Sequence, residues 1–245
     1  MAETPGKALV IGASRGIGAA LVRELASRGC TVAAVSRSEE ALQALAADTD
    51  GQVRCYPHDV CETKEVPDLF RQIEADLGGL DMVIYNAGVM PRIGQDTYDF
   101  DKDRQVVEVN LLGCIAWLNC AAPYFHEKGS GSIVGISSIA GDRGRVGYPV
   151  YNSSKAGMTT YLEALRNRLH RHGVRVTTIK PGFIDTDMVK GMDGLMWLCP
   201  SDKAARLILK AARSGATTRY VPRRWALVGL AVKSIPSFIF RRMDI

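Results

Sequence analysis

Ala8-Leu-Val-Ile11-Gly12-Ala-Ser-Arg-Gly16-Ile-Gly18-Ala-Ala-Leu-Val-Arg-Glu-Leu25 reads as a short apolar strand, a glycine-rich turn and an amphipathic helix. Glycine in such a turn supplies positive φ and lets a ligand come close to the backbone. The helix behind it offers free N–H groups and the positive end of its dipole to an anion such as a pyrophosphate. A plain strand-to-helix connection is the competing reading of one glycine-rich turn taken alone.

Working outward, strand-like runs at 7–11, 31–36, 52–56, 81–85, 132–137, 174–180 and 218–221 alternate with helical patterns at 17–28, 39–47, 63–77, 102–126, 150–172 and 201–213. This alternation predicts an α/β fold: a doubly wound parallel sheet (Rossmann fold) in three α/β/α layers, with ligands at the carboxyl ends of the strands. At 245 residues the chain can bury a full core as one domain, assigned to 1–222, with a basic apolar tail at 223–245.

The second strand ends Thr31-Val-Ala-Ala-Val-Ser36-Arg37. An acidic residue at this point of a dinucleotide fold would grip the 2′-hydroxyl of NAD. Ser36 and Arg37 stand there instead, with Arg15 inside the glycine turn; two guanidiniums and a hydroxyl suit a 2′-phosphate, so the expected cofactor is NADP(H). Farther on, Tyr151-Asn-Ser-Ser-Lys155 places a phenol and an ammonium four residues apart, on one face if the segment is helical. A nearby ammonium favours the phenolate and draws the phenol's pKa from about 10 toward neutrality. Ser138 closes the apolar run Ser132-Ile-Val-Gly-Ile-Ser-Ser138, thirteen residues before Tyr151.

With these motifs in view, the chain resembles the short-chain dehydrogenase/reductase family in its compact single-domain branch, from about Lys7 to about Met188. The Gly-x-x-x-Gly-x-Gly spacing at 12–18, His58-Asp59-Val60, Asn86-Ala87-Gly88, Asn110, Ser138, Tyr151, Lys155 and Pro181-Gly182 occur in the family's order. The resemblance makes Gly12, Ser14, Arg15, Gly16, Ile17 and Gly18 cofactor-binding residues. It places Asp59 and Val60 at the adenine, and Asn86, Ala87 and Gly88 beneath the adenosine ribose. Pro181, Gly182, Ile184 and Thr186 would pass over the nicotinamide, and Lys155 would hold its ribose hydroxyls. Ser138 and Tyr151 would serve the carbonyl oxygen of a substrate, and Asn110 would pin a water linking Lys155 to solvent. The family usually has Asn where this chain has Tyr85, which implies altered local packing with cofactor binding retained.

The expected activity is NADPH-dependent interconversion of a carbonyl compound and its alcohol. A non-catalytic NADP(H)-binding regulatory or membrane-associated module is the alternative. Phe183, Met188, Met192, Leu195, Met196, Trp197 and Leu198 read as an apolar lid, favouring a lipophilic ketone or aldehyde. Arg143, Arg145 and Tyr148 stand where they could meet a polar or anionic group. The helices at 102–126 and 150–172 match the four-helix dimer contact of relatives, so a homodimer is expected.

The six cysteines lack a C-x-x-C pair and read as reduced thiols of a cytoplasmic protein; the four histidines lack metal spacing, so no metal is expected. Met1–Lys7 lacks the basic and apolar regions of a secretion signal. Residues 219–245 carry six basic side chains and one acidic, which leaves 25 of each sign in 1–218, so the tail holds the whole net charge of +5. Arginine pairs flanking Trp225 and Phe238–Phe240 suit peripheral contact with a membrane; the alternative is a C-terminal helix packed on the body with its arginines solvated. Without a basic stripe interleaved with aromatics, nucleic acid is not an expected partner.

Overall fold

Strand β1 (Lys7–Ile11) turns Ala8 and Val10 to one side of the sheet and Leu9 and Ile11 to the other, and all four are fully buried. Apolar on both faces, such a strand needs a helical layer on each. The computed structural model, which describes residues 6–192 and 194–243, supplies both layers. Residues 1–5, part of the segment that lacks the regions of a secretion signal, and Asp244, the acid of the tail, lie outside the described residues.

The other strands are β2 (Thr31–Ser36), β3 (Val53–Pro57), β4 (Met82–Tyr85), β5 (Gly131–Ile136) and β6 (Val174–Pro181), then a short pair β7 (Ile184–Asp185) and β8 (Cys199–Pro200), and finally β9 (Thr218–Val221). Seven of them form one parallel sheet in the order β3-β2-β1-β4-β5-β6-β9. The strand order reverses between β1 and β4, which opens a crevice at their carboxyl ends. The doubly wound α/β fold expected from the sequence is the fold observed.

On one face lie α1 (Gly16–Ala26), α2 (Glu39–Ala47) and α7 (Ser201–Arg213), burying Leu21, Leu25, Leu42, Leu45, Ile208 and Leu209. On the other lie α3 (Val66–Leu77), a long helix made of α4 (Phe100–Val107) and α5 (Gly113–Lys128), and α6 (Pro149–Leu169). Their core includes Phe70, Ile73, Trp117, Phe125, Met158 and Leu162. The junction Glu108–Leu112 is a single π-helical turn, a feature often found at functional sites. Tyr85 accounts for its departure from the family pattern here: fully buried, it donates its hydroxyl to the Val109 carbonyl in this turn at 2.5 Å.

The tail forms α8 (Trp225–Ser234) and α9 (Ser237–Phe240), which fold back onto the body. Trp225 is buried with its ring 5.4 Å from Phe183 and 5.6 Å from Trp197. A Cβ on Gly182 would lie 2.1 Å from the Trp225 indole, so glycine at 182 is what admits this side chain. The tail therefore packs on the body, with Trp225 turned inward.

Candidate active site

A cleft of about 1080 Å³ opens at the carboxyl ends of β1 and β4. At one end the backbone makes it. Gly12 has φ +84°, and a Cβ there would lie 2.5 Å from the Ala87 nitrogen; a Cβ on Gly18 would lie 2.0 Å from the Gly12 carbonyl oxygen. The Asn86 amide donates to that same oxygen at 2.8 Å, pinning the turn to the end of β4. Arg15 occupies the N-cap of α1 without a side-chain cap, and the first turn holds no acid. The N–H groups there keep their capacity for an anion. Ser36, Arg37, Asp59 and Val60 line the next stretch of wall, where Arg37 stands 3.7 Å from the Asp59 carboxylate.

At the other end, α6 carries Tyr151 and Lys155 one turn apart, both buried, because Pro149 starts the helix and the i,i+4 spacing aims them at one side. Ser138, at the end of β5, hydrogen-bonds with Tyr151 and accepts from the Ala140 N–H at 3.0 Å. Burial pushes the Tyr151 phenol up, against the opposing pull of the Ser138 hydrogen bond and the Arg145 guanidinium. Burial also lowers Lys155 to about 8. Its ammonium donates to the Ile136 carbonyl at 3.0 Å and lies 5.9 Å from the centre of the Tyr151 ring.

Gly12, Ser14, Arg15, Gly16, Ile17, Ser36, Arg37, Asp59, Val60, Asn86, Ala87, Gly88, Ser138, Tyr151, Lys155, Pro181, Gly182, Ile184 and Thr186 all border this one cleft. Two expected residues stand behind its wall. Gly18 packs under the Gly12 carbonyl. Asn110 is fully buried in the π-helical turn, its amide oxygen accepting from Val89 N–H at 2.7 Å and its nitrogen donating to Val89 O at 3.0 Å and Ser154 Oγ at 3.1 Å. Its side chain is thus committed to holding the Val89 segment.

The chain matches the short chain dehydrogenase family over residues 6–194. It belongs to the short-chain dehydrogenase/reductase family. An uncharacterized oxidoreductase of Myxococcus xanthus is 34% identical over 237 residues, 95% of this chain and 94% of that one. Carbonyl reductase family member 4 of Xenopus tropicalis is 33% identical over 184 residues, 75% of this chain and 78% of its own. A solved short chain dehydrogenase/reductase family protein superposes with a TM-score of 0.81 at 26% identity, covering 90% of this chain and 97% of that one. This is an oxidoreductase family that uses nicotinamide cofactors on small-molecule substrates, and the cleft fits such a cofactor where the backbone lies bare at residues 12–18.

Several residues on which the site depends carry no local signal. Asp142, in the turn that follows Ser138, is buried between Lys180, which pairs with it, the Tyr220 hydroxyl at 2.6 Å and the Lys233 ammonium at 3.0 Å. Burial pulls its carboxyl upward, and the hydrogen bonds from Lys180, Tyr220 and Lys233 outweigh that and hold it below the usual range. The network joins the Ser138 turn to β6, just before Pro181-Gly182, and to the tail. Arg143 corrects an expectation: it does not face the cleft but donates to the Val232 carbonyl at 2.7 Å and to Ile235 O, and stacks 4.0 Å from the Phe240 ring. Of the expected lid, Met188 borders the cleft together with Val189, while Met196, Trp197 and Leu198 are exposed.

Proposed function

We propose that this protein is an NADPH-dependent carbonyl reductase, reversible as an alcohol dehydrogenase, acting on a lipophilic ketone or aldehyde. The observation that carries the reading is the convergence of Ser138, Tyr151 and Lys155 on the far end of the cleft whose near end is the bare glycine turn. The nicotinamide supplies a hydride to the carbonyl carbon when it is bound there. Ser138 donates a hydrogen bond to the carbonyl oxygen, and Tyr151, which its buried setting keeps protonated, delivers the proton to it. Lys155 replaces that proton from the solvent side; with the Asn110 amide engaged, a relay water would bind the main-chain carbonyl of Asn110.

Arg15, Ser36 and Arg37 support NADP(H), since no carboxylate ends β2 and the guanidiniums suit a 2′-phosphate. Val89 and Met90, packed with Tyr151, and Pro91, Met188 and Val189 in the wall of the same cleft favour an apolar substrate. The assembly in this reading is a cytoplasmic homodimer joined through α5 and α6, in keeping with six cysteines that form no disulfide. The test is NADPH consumption by purified protein with carbonyl compounds of graded chain length and ring size, with Tyr151→Phe as the blank. Turnover that rises with apolar size and vanishes in the blank supports the reading. Tight NADPH binding without turnover on any compound would instead favour the regulatory module.

A further inference from the structure

Helix α8 is apolar on both of its faces. Its inner face buries Trp225 and Gly229, with Gly229 placed against Tyr220 and Asp142. On its outer face Leu227 is 73% and Leu230 64% exposed, and on α9 Phe238 is 58% and Ile239 44% exposed. A helix that is hydrophobic all round is ordinarily covered on every side. The lid residues Met196, Trp197 and Leu198 are exposed too, and Trp197 meets the start of the tail through its ring contact with Trp225 and through Arg224, stacked 4.8 Å from the Trp197 ring.

The charges around this surface say what covers it. Residues 223–243 hold Arg223, Arg224, Lys233, Arg241 and Arg242 and no acid. Lys233 is used by Asp142, but among the described residues none of the four arginines stands in an ion pair. A second copy docked by a two-fold axis would set this cluster against itself, opposing cation to cation. Ten residues of α8 rise only about 15 Å, half of a hydrocarbon core, so the segment is too short to cross a bilayer. Exposed leucine and phenylalanine beside arginines that stand in no ion pair among the described residues are the composition of a helix lying in an anionic headgroup layer.

We propose that the α8–α9 segment and the adjoining lid residues form a peripheral binding surface for anionic lipid, with Leu227, Leu230, Phe238 and Ile239 entering the acyl boundary and Arg223, Arg224, Arg241 and Arg242 on the headgroups. The surface differs from a bare basic tail in that Trp225, Gly229, Lys233 and Arg143 lock it to the body. It is a rigid patch and does not have to fold on the membrane.

The test is co-sedimentation of the intact chain with vesicles of equal parts phosphatidylglycerol and phosphatidylcholine, against phosphatidylcholine alone, at low and high salt. The expected result is binding to the anionic vesicles, weakened by salt, with at least about tenfold loss for Leu227→Glu/Leu230→Glu and for Arg241→Gln/Arg242→Gln. Both pairs are exposed, so each variant should keep the wild-type Tm, and Phe238→Ser provides a third arm if one does not. Absence of binding to anionic vesicles at low salt would overturn the proposal, as would equal binding to both vesicles. So would unchanged binding by the leucine variant, or a dimer in solution that this variant splits in a chain that ignores vesicles.

Discussion

At the glycine-turn end of the cleft the close contacts run from backbone to backbone, whereas at the lid end they run between long side chains drawn from distant parts of the chain. A Cβ on Gly12 or Gly18 would strike the main chain of Ala87 or Gly12, which cannot move without moving a strand. A Cβ on Gly229 would meet the Tyr220 ring at 2.8 Å and the Asp142 carboxylate at 2.9 Å, groups that can turn aside. The first end is a fixed cradle for a ligand that every family member must hold. The second is a set of tethers that places the Ser138 turn, the Pro181-Gly182 segment and the tail relative to one another.

The largest way to break this contrast is at Asp142. Asp142→Ala leaves Lys180, itself buried, without its counter-ion, and should lower stability by about 3–5 kcal/mol, read by denaturant unfolding. NADPH affinity per molecule folded should change little, because Asp142 pairs with Lys180, Tyr220 and Lys233 and with no residue of the glycine turn; a tenfold loss of affinity would show that the two ends are one unit.

Lys155 offers a pH test. Burial holds its folded pKa at about 8 against 10.5 for the free side chain. Below about pH 8 both folded and unfolded chains keep the proton, and the cofactor-free fold bears the full cost of a buried ammonium, about 3 kcal/mol. Between about 8 and 10.5 the folded state sheds the proton first, so stability rises with pH, and above 10.5 the contribution is constant. Lys155→Met should remove this rise; the same slope of Tm against pH in both proteins would contradict the assignment.

Gly18→Ala and Gly229→Ala compare the two ends directly. The first should cost about 1–3 kcal/mol and weaken NADPH binding about tenfold or more, while the second should loosen the tail and spare the cofactor. Equal effects on binding would erase the distinction. The smallest effect is expected at Arg37, which is largely exposed. Arg37→Ala should weaken NADPH by about 1 kcal/mol and leave NADH unchanged, and equal losses would defeat the 2′-phosphate reading.

The same contrast explains what the sequence disclosed. The cradle was legible because its residues are neighbours in the chain: strand, Gly12, Gly16, Gly18 and helix within twenty residues. Tyr151 and Lys155 were legible because a helix turns an i,i+4 spacing into a shared face. Asp142, Lys180, Tyr220 and Lys233 were not, because each is an ordinary polar residue until the sheet order sets β6 beside β9 and the tail returns across them. Arg143 looked available to a substrate because it lies between Ser138 and Tyr151 in sequence, whereas its partners come from 232–240. The π-helical turn that buries Asn110 has no propensity signature, and Tyr85, whose hydroxyl reaches that turn, marked it only as a departure from the family pattern.

The most direct test of the central claim is transfer of deuterium from NADPH deuterated at the nicotinamide C4 into the alcohol product of an apolar ketone, comparing the wild-type chain with Tyr151→Phe. The account predicts deuterium on the carbinol carbon with the wild-type chain and a loss of rate of about 10²–10⁴ in the variant, whose NADPH affinity is unchanged. A variant that transfers deuterium at the wild-type rate would contradict the assignment of Tyr151 as the proton donor.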